Sequence, residues 1–379
     1  MDPWDLTDTG RDLVAAARGF APEAAKIAAA ADEARAPDPS LIPKAAELGL
    51  TGMQVPPEHG GAGLAYSARA AVAEALGAVC YGVAMSVINS HNCALRVARF
   101  APAETAERLA GPLARGEIVG CTAMSEPNAG SDFAALATTA ARDGDGWRLT
   151  GEKAWICNAP LADVAVVFAQ TAEPGDAKGV GGFLVETSRP GVRATGPALA
   201  GLHAMGLGGF ALDGYAAPSD ALLLPPGPGF RRAMEDVNGA RVHVAAMACG
   251  MLRAALDAAR AHGAHRRTFG RPLAGHQGWR WVPAQAEADL FAACLSAAEA
   301  ARRIDAGVDA QFAAASAKLI ATEAASRHVP ALVHALGSEG LAEGSPLARH
   351  LLGARAARLA DGSTEMLLER IARLTATPF

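Results

Sequence analysis

The sequence lacks the marks of several common protein classes. Its six cysteines, Cys80, Cys93, Cys121, Cys157, Cys249 and Cys294, lie far apart with no Cys-x-x-Cys pair. That argues against a disulfide framework or a zinc site and fits thiols kept reduced in a cytoplasm. No long run of one charge occurs, and the net charge is only −5, so nucleic acid is not an expected partner. No uncharged apolar run approaches the roughly 18 residues of a membrane span. The start, Met1-Asp2-Pro3-Trp4-Asp5, is acidic where a secretory signal is basic. The expectation is a cytoplasmic protein without membrane insertion. His262 and His265 are the only close helical histidine pair, and with no acidic ligand beside them in sequence they read as surface residues. No metal site is expected. A dinucleotide fingerprint is missing too: Gly206-Leu207-Gly208-Gly209 and Gly227-Pro228-Gly229 are near misses outside any βαβ unit.

What is present points to helices around a sheet. Of 379 residues, 51% are hydrophobic, enough for a large core, and much of that is alanine set among arginine, leucine and glutamate. Residues 1–120 carry helical periodicity broken by Pro37-Asp38-Pro39 and by Val55-Pro56-Pro57-Glu58-His59-Gly60-Gly61-Ala62-Gly63, and four to six helices fit there. Residues 121–228 change texture, with β-rich runs such as Val164-Ala165-Val166-Val167-Phe168 and Gly182-Phe183-Leu184-Val185 between turns. A hairpin is predicted over Ala140 to Thr150. Residues 229–379 return to long helical stretches near 231–263, 283–305 and 309–336, as in an antiparallel bundle. The fold class is therefore α+β: an N-terminal all-α domain, a middle β-sheet or barrel-like domain and a C-terminal four-helix-bundle domain. Without βαβ alternation a doubly wound fold is disfavoured.

The densest chemical signal is Met124-Ser125-Glu126-Pro127-Asn128-Ala129-Gly130-Ser131-Asp132. Such a loop either offers hydroxyls and backbone N–H groups to an anion or ring edge, or is simply a polar turn. This loop resembles the signature of the acyl-CoA dehydrogenase family, and four more matches follow in the family's order. They are Gly151-Glu152-Lys153-Ala154-Trp155-Ile156-Cys157-Asn158, then Arg266-Arg267-Thr268-Phe269-Gly270-Arg271-Pro272-Leu273 with His276-Gln277, then Gly337-Ser338-Glu339-Gly340, and Asp361-Gly362-Ser363-Thr364-Glu365 leading into Glu369-Arg370-Ile371-Ala372-Arg373.

The resemblance implies an FAD-dependent α,β-dehydrogenation of an acyl thioester of the acyl-CoA kind: a carboxylate removes the α-proton and the β-hydrogen leaves as hydride to flavin N5. It implies that Met124 and Ser125 contact the flavin's pyrimidine end, that Gly130 and Ser131 bind the cofactor with Ser131 near its pyrophosphate and the substrate, and that Trp155, otherwise a core candidate, packs on the isoalloxazine. Arg266, Thr268, Phe269 and Gln277 match a segment that reaches across a subunit interface to the neighbour's FAD, which implies a homodimer or homotetramer. Gly337, Ser338, Ser363 and Glu365 match cofactor positions. Asn238, Arg241, Gly362 and Arg373 match substrate positions, and Leu202 to Phe210 resembles a glycine-rich turn near the acyl chain. Electron-transfer flavoprotein is the implied acceptor.

Three positions depart from the family pattern. Asp361 stands where most members have glutamate, and the alternative base position of a second lineage is Ala240 here, so Asp361 is the expected catalytic base and Glu365 the lesser candidate. Its own N–H would help polarise the thioester carbonyl. Burial against flavin and acyl chain would need to raise its pKa from about 3.9. Cys157 replaces the usual threonine or serine near flavin N5, and a thiol is a weaker donor. Ser338 replaces a glycine. These departures leave three other readings open: a same-fold nitroalkane-type oxidase, an acyl-carrier-protein dehydrogenase, and a non-catalytic flavin or acyl-CoA binder.

Overall fold

The computed structural model describes residues 3–196, 199–342 and 345–376; Met1 and Asp2, the first residues of the acidic start, lie outside them. The first helices are α1 (Asp8–Gly19), α2 (Ala21–Ala34), α3 (Leu41–Glu47), α4 (Tyr66–Gly77), α5 (Tyr81–Phe100) and α6 (Ala103–Ala114). Strands follow: β1 (Gly120–Ala123), β2 (Thr139–Asp143), β3 (Gly146–Ile156), β4 (Val164–Gln170), β5 (Val180–Glu186), β6 (Val192–Thr195), β7 (Gly208–Ala217) and β8 (Leu222–Leu224). The rest comprises α7 (Pro228–His265), the short β9 (Arg267–Thr268) and β10 (Arg271–Pro272), α8 (Gln277–Asp305), α9 (Gln311–Ala335), α10 (Pro346–Ala357) and α11 (Thr364–Thr375). The helical, sheet, helical order read from periodicity is the order observed.

The chain divides into two compact units. One takes residues up to Ala29, Ala65–Ala84 and Val237 onward; the other takes Ala30–Leu64 and Met85–Asp236. In the second unit the sheet runs β6-β7-β3-β2-β4-β5-β8, with β1 parallel to β4. Strand β4 explains its unbroken apolar run. Val164, Val166 and Phe168 enter one core cluster with Cys93 and Val97 of α5 and Leu109 and Leu113 of α6. The alternate residues Ala165, Val167 and Ala169 enter another, with Trp147, Phe183 and Tyr215. A strand buried on both faces has no need of polar alternation. The predicted hairpin is β2–β3, where Asp143 pairs with Gly146 and Gly144 turns at φ 59°.

In the first unit α9 buries Ala314, Ala317, Lys318, Ala321, Ala325, Val329 and Leu332, a helical stripe in which one residue is charged. Helix α7 is long and apolar enough to cross a membrane by length and composition, but 78% of its apolar 18-residue window is buried inside the fold, as in a core helix. A scan for uncharged runs passes over it because single charges such as Arg253 interrupt it.

Candidate active site

After β1 the chain leaves the sheet as the polar loop 124–132, and a buried ion pair gives that loop one shape. Lys153 Nζ of β3 donates to Glu126 Oε1 at 2.7 Å, with side chains 0% and 5% exposed. Ala137 N–H donates to Glu126 Oε2 at 2.6 Å and Thr138 N–H to Oε1 at 3.0 Å. Lys153 also donates to the Met124 carbonyl at 3.2 Å, and Ala154 N–H to the Ser125 carbonyl at 3.0 Å. Burial alone would raise the Glu126 pKa, but the Lys153 charge and the hydrogen bonds from Thr138 and Ala137 hold it below its usual value. Met124 and Ser125 are half-buried, while Gly130 and Ser131 are exposed. Polar atoms are thus presented from a fixed scaffold. Sequence reading assigned no role to Glu126 or Lys153, although both sit inside the quoted motifs.

Trp155 is not a core residue. It is 55% exposed and stands at φ 62°, an uncommon backbone state for a bulky side chain. Its cause is a register shift between Lys153 and Ile156, where β3 bulges against β7. Gly209 permits that close approach, since a Cβ there would lie 2.0 Å from the Lys153 carbonyl oxygen. The bulge re-aims the indole outward. Cys157 next to it is buried, and its carbonyl accepts from Asn89 Nδ2 at 2.9 Å. The glycine-rich turn lies beside this end of β3: Asn158 N–H donates to the Met205 carbonyl at 3.2 Å, just before Gly206 at φ 58°.

The first unit gathers Asn238, Arg241, Asp361 and Gly362. Asp361 and Gly362 take φ of 53° and 102° in succession, and extended Ser363 then precedes the first residue of α11. Arg241 Nε donates to the Asp361 carbonyl at 3.4 Å, and its Nη1 to Asn238 Oδ1 at 3.0 Å. Burial and Arg370 pull the Arg241 pKa down while Asp361 opposes them. Three further residues, none singled out by sequence, complete the surroundings. His243 is buried with Nε2 3.9 Å from Asp361 Oδ2, and its Nδ1 accepts from Arg69 Nη2 at 2.8 Å, since guanidinium only donates. Fully buried Lys318 donates from Nζ to the Gly362 carbonyl. Burial pushes the Tyr66 hydroxyl up to about 12, and that hydroxyl donates to the Gly239 carbonyl.

Asp361 itself is 27% exposed, a carboxylate set among cations yet open on one side. Glu365 is exposed on the first turn of α11, where its own N–H and the Ser363 hydroxyl hold its pKa below normal. Of the two carboxylates, Asp361 is the one with an enclosing site.

The segment after α7 forms an exposed arm. β9 and β10 pair around Phe269 and Gly270, both at positive φ (50° and 81°), the pattern of a type I′ turn. Phe269 is 96% exposed, with its ring edge-on to His276 at 6.2 Å. Arg266 and Gln277 are exposed, and Thr268 Oγ1 lies 3.3 Å from His276 Nε2. The arm's root adjoins the exposed Gly337-Ser338 turn: Arg266 N–H donates to the His262 carbonyl at 2.8 Å, and His262 Nδ1 meets Glu339 Oε2 at 3.1 Å. His262 is therefore a paired residue whose side chain is 10% exposed, not the surface histidine read from sequence. Its acidic partner is distant in the chain, which is why spacing missed it. No metal-ligating cluster occurs among the described residues. Arg373 stands apart, 73% exposed and paired with Glu369 at 2.5 Å.

In the second unit, an exposed ring held out at positive φ and hydroxyls on a braced glycine loop suit a cofactor with a planar ring and phosphates. In the first unit, a half-enclosed carboxylate among cations suits proton abstraction, and each unit by itself fits the class of flavin-dependent dehydrogenases. The chain matches the acyl-CoA dehydrogenase N-terminal domain over residues 7–117, the middle domain over 121–214 and the C-terminal domain over 227–375. The chain belongs to the acyl-CoA dehydrogenase family, and as such is an FAD-dependent oxidoreductase of acyl-CoA thioesters. It is 36% identical over 366 residues to the short-chain specific acyl-CoA dehydrogenase of Bos taurus, covering 96% of this chain and 89% of that protein. Among solved structures it resembles butyryl-CoA dehydrogenase from Megasphaera elsdenii, with a TM-score of 0.93, 29% identity and 99% of each chain covered. It also resembles a glutaryl-CoA dehydrogenase from Mycobacterium smegmatis in complex with FADH2, with a TM-score of 0.91, 28% identity and coverage of 98% and 96%.

Proposed function

We propose that this enzyme desaturates a short acyl-CoA at the α,β-position with Asp361 as the base. The observation that carries the assignment is the carboxylate of Asp361, half-enclosed on a turn tied by Arg241 and Lys318. When bound, FAD supplies the acceptor for the β-hydrogen. Asp361 takes the α-proton, and its backbone N–H polarises the thioester carbonyl. An aspartate reaches one methylene less far than glutamate, so the backbone of the turn must supply the difference. Asn238 and Arg241 hold the substrate's pantetheine side. Ser125, Ser131 and Trp155 hold the cofactor on the loop braced by Glu126 and Lys153.

The assembly we propose is a homodimer or homotetramer, with Phe269 and Arg266 meeting the partner copy's FAD. Support comes from the 96% exposure of Phe269 and from Trp281, Phe291 and Leu295, a stripe on one face of α8 exposed by 59%, 49% and 43%. An electron-transfer flavoprotein is the proposed acceptor, and a reducing cytoplasm suits six buried cysteines of which none is in a disulfide. The test is anaerobic: purified yellow enzyme is mixed with acyl-CoAs of short, long, branched and dicarboxylic type. Bleaching fastest with butyryl-CoA or a near homologue supports the reading. A flavin that no acyl-CoA bleaches, or one that releases hydrogen peroxide stoichiometrically in air, refutes it.

A further inference from the structure

The chain has five lysines, and two of them, Lys153 and Lys318, are among its largest fully buried side chains. Lys153 has the Glu126 carboxylate at 2.7 Å. Lys318 makes no ion pair within 4 Å among the described residues; its hydrogen bond goes to the backbone carbonyl of Gly362. Burial drags its pKa from 10.5 to about 8, Asp361 pushes back up, and Arg241 adds to the lowering. An ammonium taken out of water is costly unless its surroundings return the loss, and an apolar side chain of equal length would fit the rest of the α9 stripe. Among the described residues, the hydrogen bond of the Lys318 ammonium goes to the turn that carries the proposed base.

That turn needs gripping. Asp361 is a non-glycine residue at φ 53°, a left-handed state that costs free energy and is held by its surroundings, while Gly362 after it takes φ 102°, which glycine adopts freely. Arg241 from α7 holds the Asp361 carbonyl and Lys318 from α9 holds the next one, so two cations from two helices fix consecutive peptide groups. We propose that Lys318 is a positioning residue for Asp361: it fixes the Asp361–Gly362 turn and sets a positive charge beneath it, so that the short carboxylate stands where it can take the α-proton. This rests on the reading of Asp361 as the base. A misplacement of about 1 Å is enough to cost on the order of 10²-fold in rate, so loss of one of two anchors has a kinetic signature.

The test is single-turnover reduction of bound FAD by butyryl-CoA, measured anaerobically per bound flavin in the wild-type, Lys318→Met, Lys318→Gln and Asp361→Asn holoenzymes. Counting per flavin removes any effect of lost fold or cofactor. Lys318→Met is expected to slow reduction at least ~10-fold, while affinity for crotonyl-CoA changes less than about two-fold. The isotope effect with α-deuterated butyryl-CoA should rise, and Lys318→Gln, which keeps a donor without the charge, should fall between. A Lys318→Met holoenzyme that reduces at the wild-type rate, beside a slow Asp361→Asn, overturns the positioning role alone. If Lys318→Met yields no holoenzyme, the rate of Lys318→Gln decides by the same criterion. Wild-type reduction in Asp361→Asn removes the base assignment, and this inference with it.

Discussion

Replacing Lys153 by methionine should damage the 124–132 loop more than any exposed substitution could. The ammonium lost is fully buried and its partner carboxylate is 5% exposed, so Glu126 would be left with backbone N–H groups but no counter-charge. Breaking a buried pair from one side costs about 3–5 kcal/mol. The loop's carbonyl anchor at Met124 goes as well, at about 1 kcal/mol. Because the pair holds Glu126 below its usual pKa of 4.5, its contribution is complete above that pH and fades as pH falls through the lowered value. Denaturant midpoints and FAD content per chain, read from pH 7 downward, measure this. Lys153→Met should lose about 4 kcal/mol and much of its FAD at neutral pH, and the double variant with Glu126→Gln should recover at least ~2 kcal/mol by removing the stranded charge. A loss below about 1 kcal/mol, or strict additivity in the double variant, would refute the claim that this pair braces the loop.

Two other outcomes are expected. Phe269→Ser should leave the monomer fold intact, since the ring is 96% exposed, but lower FAD retention and shift the enzyme toward smaller species in light scattering; unchanged cofactor and size would remove the arm from the interface. His350 is fully buried and its pKa is depressed by burial from 6.5 to about 4. Its neutral form is therefore the folded one, and stability is full above pH 6.5 and falls by up to roughly 3 kcal/mol as pH drops to 4. His350→Leu should flatten that part of the acid-unfolding curve, and a slope equal to the wild type's would show that the histidine is not responsible.

Local chemistry was legible in the sequence wherever it was written in neighbouring residues. The β2–β3 hairpin followed from Asp143-Gly144-Asp145-Gly146, and β4 from its apolar run. Long-range partners were not legible. Glu126 and Lys153 lie 27 residues apart, His262 and Glu339 77 apart, and Lys318 and Gly362 44 apart; no spacing rule joins them. Trp155 was ambiguous for a different reason. A tryptophan in a strand is usually core, and only the bulge, with its positive φ, turns the ring outward. Arg241 belongs with the long-range cases, since its hydrogen bond to the Asp361 carbonyl spans 120 residues of chain.

The central claim is that Asp361 takes the α-proton, and anaerobic FAD reduction by butyryl-CoA in Asp361→Asn tests it most directly. The amide keeps the shape of the carboxylate and cannot accept the proton. Reduction should slow by at least ~10²-fold, with FAD content and crotonyl-CoA binding retained. Reduction within a few-fold of the wild-type rate would contradict the account and move the search for the base to Glu365.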